Sequence, residues 1–162
     1  MQMEPGGEQF GSKNLHKNRV HKVLAYSYLF YFVSFLIALF LDFMFPIEIF
    51  ERVTMALIGI IFLIFGTFLI VWAQKSSLKL QKENMTKETF LRGPYRYTRS
   101  PTHLGLFFLM LGFGIMANAL FIIIFSVLSF FITKFVFIKK EEQILAEKYG
   151  TPYLEYKESV KF

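Results

Sequence analysis

The sequence predicts an all-α integral membrane protein with about four transmembrane helices, the last two forming a hairpin, and a short cytoplasmic helical tail. Hydrophobic residues make up 54% of the 162 residues. They form long uninterrupted runs, whereas a soluble domain disperses them. Basic residues cluster in every second polar segment between these runs, as expected of a chain that crosses a membrane several times.

The first two runs, residues 23–45 and 53–73, are each long enough to span a bilayer. The first contains only one charged residue, Asp42 near its end, and the second contains none. About 20 residues at a rise of ~1.5 Å per residue cross a ~30 Å hydrocarbon core. A polar stretch precedes the first run and no small-residue cleavage site follows it, so we do not expect a cleaved signal peptide.

The third apolar block, residues 104–137, is too long for one span and contains a single charge, Lys134. Asn118 follows small residues and is the predicted turn, which gives a short helix over residues 102–117 and a longer one over 119–138. The resulting organisation is a disordered, basic N-terminal arm (1–22, with disorder expected over 1–12), a transmembrane domain (23–138) and a cytoplasmic C-terminal segment (139–162) that completes a cofactor site.

Basic residues near the span ends predict that both termini and residues 74–100 lie in the cytoplasm. The net charge of +6 then favours anionic lipid headgroups as partners, and we expect no nucleic-acid partner. The chain has no Cys, which excludes disulfides, thiolate metal sites and a Cys nucleophile. No metal site is expected.

Two cytoplasmic segments contain most of the polar sequence. The first begins with Gly93-Pro94-Tyr95 and continues through residues 99–105, Arg-Ser-Pro-Thr-His-Leu-Gly. Gly-Pro indicates a turn, and Pro101 fits the first position of the third span with Ser100 as its N-cap. Arg99 beside a helix N-terminus is typical of an anion site. The alternative is an interfacial anchor of Arg and Tyr side chains.

The second segment follows the fourth span and begins with Lys-Lys-Glu-Glu at residues 139–142. Adjacent carboxylates at a membrane exit are unusual because anionic lipids repel them, although a solvated helix face would also explain them. Gly150 is predicted to end this helix, and Thr151 to cap a second one with Pro152 in its first turn. The tail would then fold back over the membrane face.

Together the segments resemble the isoprenylcysteine carboxyl methyltransferase and phospholipid methyltransferase superfamily of membrane enzymes. That family has a Gly-Pro-Tyr…Arg-His-Pro motif, a helical hairpin and a Glu-Glu…Tyr-Gly…Tyr…Tyr motif. The present chain matches in order and in the intervening hairpin over residues 93–156, and departs at two positions, with Ser100 in place of the usual His and His103 in place of the usual Tyr.

The resemblance implies S-adenosylmethionine as cofactor and a lipid or lipidated acceptor that enters from the bilayer. It implies a catalytic group of Arg99, Glu142 and His103. The implied cofactor-binding residues are Tyr95, Arg99, Pro101, His103, Gly105, Glu141, Glu142 and Tyr153. A carboxylate acceptor would need an orienting arginine, Arg96 or Arg99, whereas an amine would need a base such as Glu142 or His103.

Two alternatives to methyl transfer remain at the level of sequence. One is a membrane reductase of the steroid-reductase type that uses NADPH, to which the C-terminal half is distantly similar. The other is a non-catalytic scaffold, in which Ser100 and His103 would mark a degenerate site. A transporter is disfavoured because the first two spans contain few polar groups near mid-membrane.

Overall fold

The computed structural model describes residues 6–48, 52–79 and 86–160, and every regular element within these ranges is helical. The elements are α1 (Gly6–Met44), α2 (Arg52–Lys79), α3 (Lys87–Phe90), a 3₁₀ turn (Gly93–Arg96), α4 (Pro101–Met116), α5 (Leu120–Ile132), a π-helical segment (Thr133–Ile138), α6 (Lys139–Tyr149) and α7 (Thr151–Ser159). The predicted all-α membrane fold is confirmed.

Within the described ranges, three helical stretches are long and apolar enough to cross a membrane: Lys22–Met44, Thr54–Ser77 and Leu120–Tyr149. The fourth predicted span is the shorter apolar helix α4 of 16 residues. Disorder is expected over residues 1–12, and in the structure residues 6–12 form the start of α1. Residues 1–5 lie outside the described ranges. The helix predicted over 119–138 continues through the π-helical segment into α6 without a break.

The predicted turn at Asn118 is present. Asn118 has a φ of 55°, in the left-handed region that Asn tolerates better than most residues. The Ala119 N–H donates to the carbonyl of Gly114 across this turn. As a result α5 returns antiparallel to α4 and forms the predicted hairpin.

Asp42 of α1 caps the start of α5. Its two carboxylate oxygens accept hydrogen bonds from the backbone N–H groups of Phe121 at 3.0 Å and Ile122 at 2.9 Å. These are among the first N–H groups of α5, which have no partner within the helix. The N-cap residue, Ala119, has no side chain that could accept them. The only charge of the first span therefore fixes α1 to α5.

Glycines allow α2 and α4 to pack with their backbones in contact. Gly59 and Gly66 of α2 face Gly112 and Gly105 of α4. A Cβ added at Gly105 would lie 2.9 Å from the Gly66 carbonyl oxygen, and one at Gly112 would lie 2.8 Å from the Gly59 carbonyl oxygen. Small residues at matched positions are typical of tightly packed membrane helices. This seam holds the start of α4 beside the end of α2.

Candidate functional site

The Gly93–Arg96 turn packs against the end of α2. Gly93 has a φ of +62°, which favours glycine, and a Cβ there would overlap the Ser76 side chain and lie 3.3 Å from Trp72 Nε1. Pro94 is buried in this contact. The Gly-Pro-Tyr motif is therefore packed tightly against the end of α2, and it places Tyr95 near the start of α4.

Helix α4 begins at Pro101 with Ser100 at the N-cap position, as predicted. The Ser100 side chain makes no capping hydrogen bond. Thr102 and His103, in the first turn, are buried. The Thr102 hydroxyl lies within hydrogen-bonding reach of both Tyr28 and Tyr95, which joins α1 and the 3₁₀ turn to α4.

Glu142 is the centre of an ion-pair network that joins three parts of the chain. Its Oε1 lies 2.9 Å from Arg99 Nη1, in the segment before α4. Its Oε2 lies 2.9 Å from Lys157 Nζ, in α7. The Glu142 side chain is only 12% exposed, so these charge-assisted contacts are stronger than ordinary surface pairs.

Glu141 has different surroundings from its neighbour. Its Oε2 lies 4.0 Å from Nδ1 of His103, which is longer than a hydrogen bond. The other ring nitrogen, His103 Nε2, lies 3.0 Å from the Ser27 hydroxyl of α1. His103 is only 2% exposed. The two adjacent glutamates therefore divide into one that is tied to cations and one that faces a buried imidazole.

The hydroxyls of Tyr95 and Tyr153 lie close enough to this carboxylate pair to interact with its charge. Burial is the main reason that the pKa of Tyr95 is raised to about 12, and the negative charge of Glu141 adds to the effect. Burial also raises the pKa of Tyr153, with a further contribution from Glu142 and Glu141. Both phenols therefore remain neutral near pH 7 and can donate hydrogen bonds to an acceptor group in the site.

The C-terminal tail covers this region. Gly150 has a φ of +61° and ends α6, and α7 begins at Thr151, one residue earlier than predicted because Gly150 is itself its N-cap. The Tyr156 hydroxyl donates a 2.8 Å hydrogen bond to the Tyr95 carbonyl oxygen. Tyr153 and Tyr156 pack around Phe90 of α3. The predicted return of the tail over the helix ends is present.

An apolar cavity of about 650 Å³ adjoins the Glu142 network. Its walls come from α2, the start of α4, α5 and the π-helical segment, and Arg99 and Glu142 lie among its lining residues. Its aromatic and aliphatic walls include Phe65, Phe68, Leu69, Trp72, Leu104, Phe130, Phe135 and Ile138. The volume is in the range of small-molecule sites. An apolar cavity thus adjoins an ion-pair network.

Most of the residues implied by the sequence motifs come together here. Arg99 contacts Glu142, His103 faces Glu141, and Tyr95 and Tyr153 border the pair. Pro101 is buried at the start of α4. Gly105 faces α2 in the glycine seam, so the structure gives it a packing contact, and its place in a cofactor site stays a prediction.

Sequence reasoning missed three residues of this region: Ser27, Tyr28 and Lys157. Lys157 could have been found because it lies in the C-terminal tail, which was predicted to fold back over the membrane face. Ser27 and Tyr28 lie in the first span, where neither the Glu-Glu motif nor the Gly-Pro-Tyr motif refers to them. Their position depends on how α1 packs against α4 and α6.

A family model described as phospholipid methyltransferase matches residues 53–152, more than half of the chain. The matched range begins in α2 and ends in the first turn of α7, so it contains the Arg99, His103, Glu141 and Glu142 group but not α1. The resemblance drawn from the two motifs is confirmed. Comparisons with curated proteins and with solved structures gave no match.

Proposed function

The chain belongs to the phospholipid methyltransferase family of membrane methyltransferases, and we propose that it transfers the methyl group of S-adenosylmethionine to a lipid-like acceptor in the bilayer. The observation that supports this most is that Arg99 and Glu142, which form an ion pair, both line an apolar cavity. A lipid-like acceptor needs apolar walls, and a charged cofactor needs polar groups next to them.

The residues at the polar end fit this cofactor. S-adenosylmethionine supplies a methyl group on a cationic sulfonium, and it also contains an ammonium, a carboxylate and two ribose hydroxyls. Glu141 and Glu142 can accept from its ammonium or hydroxyl groups, and Arg99 can bind its carboxylate. The rings of Tyr95 and Tyr153 are suited to a neighbouring cation.

Orientation and removal of water are the main tasks of this chain in methyl transfer, which requires no covalent nucleophile. Arg99 and Glu142 hold each other at 2.9 Å, and this pairing fixes both side chains before ligands arrive. The tail helix α7, with Tyr153 and Tyr156 buried against α3, covers the site and limits access of water.

The acceptor would be oriented by the same residues. A carboxylate acceptor would take a hydrogen bond from Arg99, and no base would be needed. An amine acceptor would have to lose a proton, and Glu142 or His103 would accept it. We propose that both termini and residues 74–100 lie on the cytoplasmic side, where the basic segments favour them and where the cofactor is available.

Calorimetry with S-adenosylhomocysteine, the product of the cofactor, tests this proposal. We expect the purified protein to bind it, and a Glu141→Gln/Glu142→Gln double variant to lose at least about tenfold in affinity because the site loses both carboxylate charges. Glu155→Gln, an exposed carboxylate of α7, is the matched control and should bind as the parent does. A folded double variant that binds like the parent would remove the carboxylates from the proposal.

A further inference from the structure

Helix α1 lies outside the range matched by the family, yet it reaches the centre of the site through Ser27. We propose that Ser27 is a positioning residue that holds the hydrogen of His103 on Nε2, and that His103 Nδ1 and Glu141 Oε2 consequently form a subsite for an amino or ammonium group. This inference rests on the proposed function for the origin of that group, which is either the cofactor or the acceptor.

The hydrogen bonds of Ser27 support this tautomer. Ser27 Oγ lies 2.8 Å from the Leu24 carbonyl oxygen and 3.0 Å from His103 Nε2. A hydroxyl has one hydrogen, and a carbonyl oxygen can only accept. When Ser27 donates to Leu24, its oxygen must accept from His103, which requires the hydrogen on Nε2. All three groups are then satisfied in a place where both side chains are buried.

This tautomer leaves two acceptors facing each other. His103 Nδ1 then has a lone pair, and Glu141 Oε2 is a carboxylate oxygen 4.0 Å away. For a donor atom about 2.8 Å from each acceptor, the angle between the two acceptors at that atom is about 90°. This is near the angle between two N–H bonds of one nitrogen. A single group with two hydrogens would therefore satisfy both acceptors at once.

The surroundings favour a nitrogen cation over a neutral hydroxyl. Arg99 and Lys157 both pair with Glu142, whereas among the described residues Glu141 has only the 4.0 Å contact with His103, so Glu141 is the carboxylate of the pair without a close cation. The hydroxyls of Tyr28 in α1 and Tyr95 in the 3₁₀ turn are close enough to Glu141 to interact with its charge, and both lie within hydrogen-bonding reach of Thr102. A buried carboxylate is costly without a cation or strong donors, and an ammonium group supplies both.

Nitrogen NMR of the histidine rings tests the tautomer directly, without any ligand. We expect the His103 signal of the ¹⁵N-histidine-labelled protein in micelles to show a hydrogen on Nε2, and a His103→Gln variant identifies that signal among the three histidines. Ser27→Ala should shift His103 towards a mixture of tautomers. Ser34→Ala removes another buried hydroxyl of α1 and should leave the signal unchanged. A parent protein with the hydrogen on Nδ1 would overturn the proposal even if no variant folds.

Ligand pairs that differ by one amine test the subsite and identify its source. The first pair is S-adenosylhomocysteine and its analogue without the α-amino group. The second is a short-chain phospholipid with an aminoethyl headgroup and one with a hydroxyethyl headgroup. We expect one pair to differ about tenfold or more in affinity for the parent and for Ser34→Ala, with the difference reduced in Ser27→Ala.

Each outcome of the ligand experiment has a distinct meaning. A difference in the first pair assigns the subsite to the cofactor, and a difference in the second pair assigns it to the acceptor. If S-adenosylhomocysteine and its analogue bind equally and the two lipids also bind equally, the subsite is refuted while the proposed function stands. If neither form of S-adenosylhomocysteine binds, the proposed function fails, and the tautomer result is still valid.

Discussion

Two half-buried carboxylate regions, Asp42 at one end of α5 and Glu141–Glu142 in α6, have different kinds of hydrogen-bonding and ion-pair partners. They are separated by about 21 residues of nearly continuous helix, or about 30 Å. Both Asp42 oxygens accept from backbone N–H groups of α5. The glutamates, by contrast, face side chains that come from α1, α4, α7 and the segment before α4. Backbone partners are permanent, whereas side-chain partners can rearrange around a ligand.

The comparison separates structural carboxylates from candidate ligand-binding ones within a single bundle. Each carboxylate oxygen of Asp42 accepts a hydrogen bond from the first turn of α5, whose N–H groups would otherwise lack a cap. Glu141 lies beyond hydrogen-bonding distance of His103, although both are largely buried. We therefore expect substitutions around Asp42 to change stability, and substitutions around Glu141 to change ligand binding.

The largest stability effect is expected at Gly105. Its packing contact with α2 suggests a structural role, whereas the family motif implies a role in cofactor binding. A Cβ at Gly105 would lie 2.6 Å from Ile70 Cγ1, and one at its partner Gly66 would lie 2.8 Å from the Gly105 carbonyl oxygen. We expect Gly105→Ala and Gly66→Ala each to destabilise the protein by about 1–3 kcal/mol through overpacking. Thermal unfolding in detergent measures this effect.

Affinity for S-adenosylhomocysteine distinguishes packing from binding at Gly105. If Gly105 acts through the α2–α4 seam, the folded fractions of both variants should bind equally well. A loss of affinity in Gly105→Ala without one in Gly66→Ala would instead place Gly105 in the cofactor site, as the family motif implies.

Asp42 should show the next largest effect, and on stability alone. Asp42→Ala removes both acceptors from the start of α5, and loss of an N-cap costs about 1–2 kcal/mol. Asp42→Asn keeps one acceptor oxygen and should have an intermediate unfolding midpoint. Affinity for S-adenosylhomocysteine should remain that of the parent. Reduced affinity at unchanged stability would show that the two carboxylate regions are not separate in function.

Local sequence signals predicted much of this molecule. The apolar runs gave the spans, Asn118 gave the hairpin turn, and Pro101 gave the start of α4, because each depends on the chemistry of neighbouring residues. The two motifs also brought Arg99, Glu141 and Glu142 into one expected site. The ion pair between Arg99 and Glu142 at 2.9 Å agrees with that grouping.

Features that depend on helix packing were not predicted. Asp42 was seen only as a peripheral charge because its partners lie about 80 residues away in the sequence. Ser27 lies 76 residues from His103, and only the rotation of α1 brings the two together. The start of α1 at Gly6 was missed because Gly and Gln content in residues 6–12 suggested disorder, and composition alone does not account for a helix that continues from a long span.

The tail should show the smallest effect, and it tests whether the glutamate region depends on α7. Tyr156→Phe removes the hydrogen bond to the Tyr95 carbonyl but keeps the ring between Phe90 and Tyr153. We expect a loss of about 0.5–1.5 kcal/mol, seen as faster hydrogen exchange in α7 with little change in the spans. Leu154→Ala, at an exposed position of α7, is the control. Unchanged exchange in Tyr156→Phe would mean that aromatic packing around Phe90, and not this hydrogen bond, holds α7 over the carboxylates.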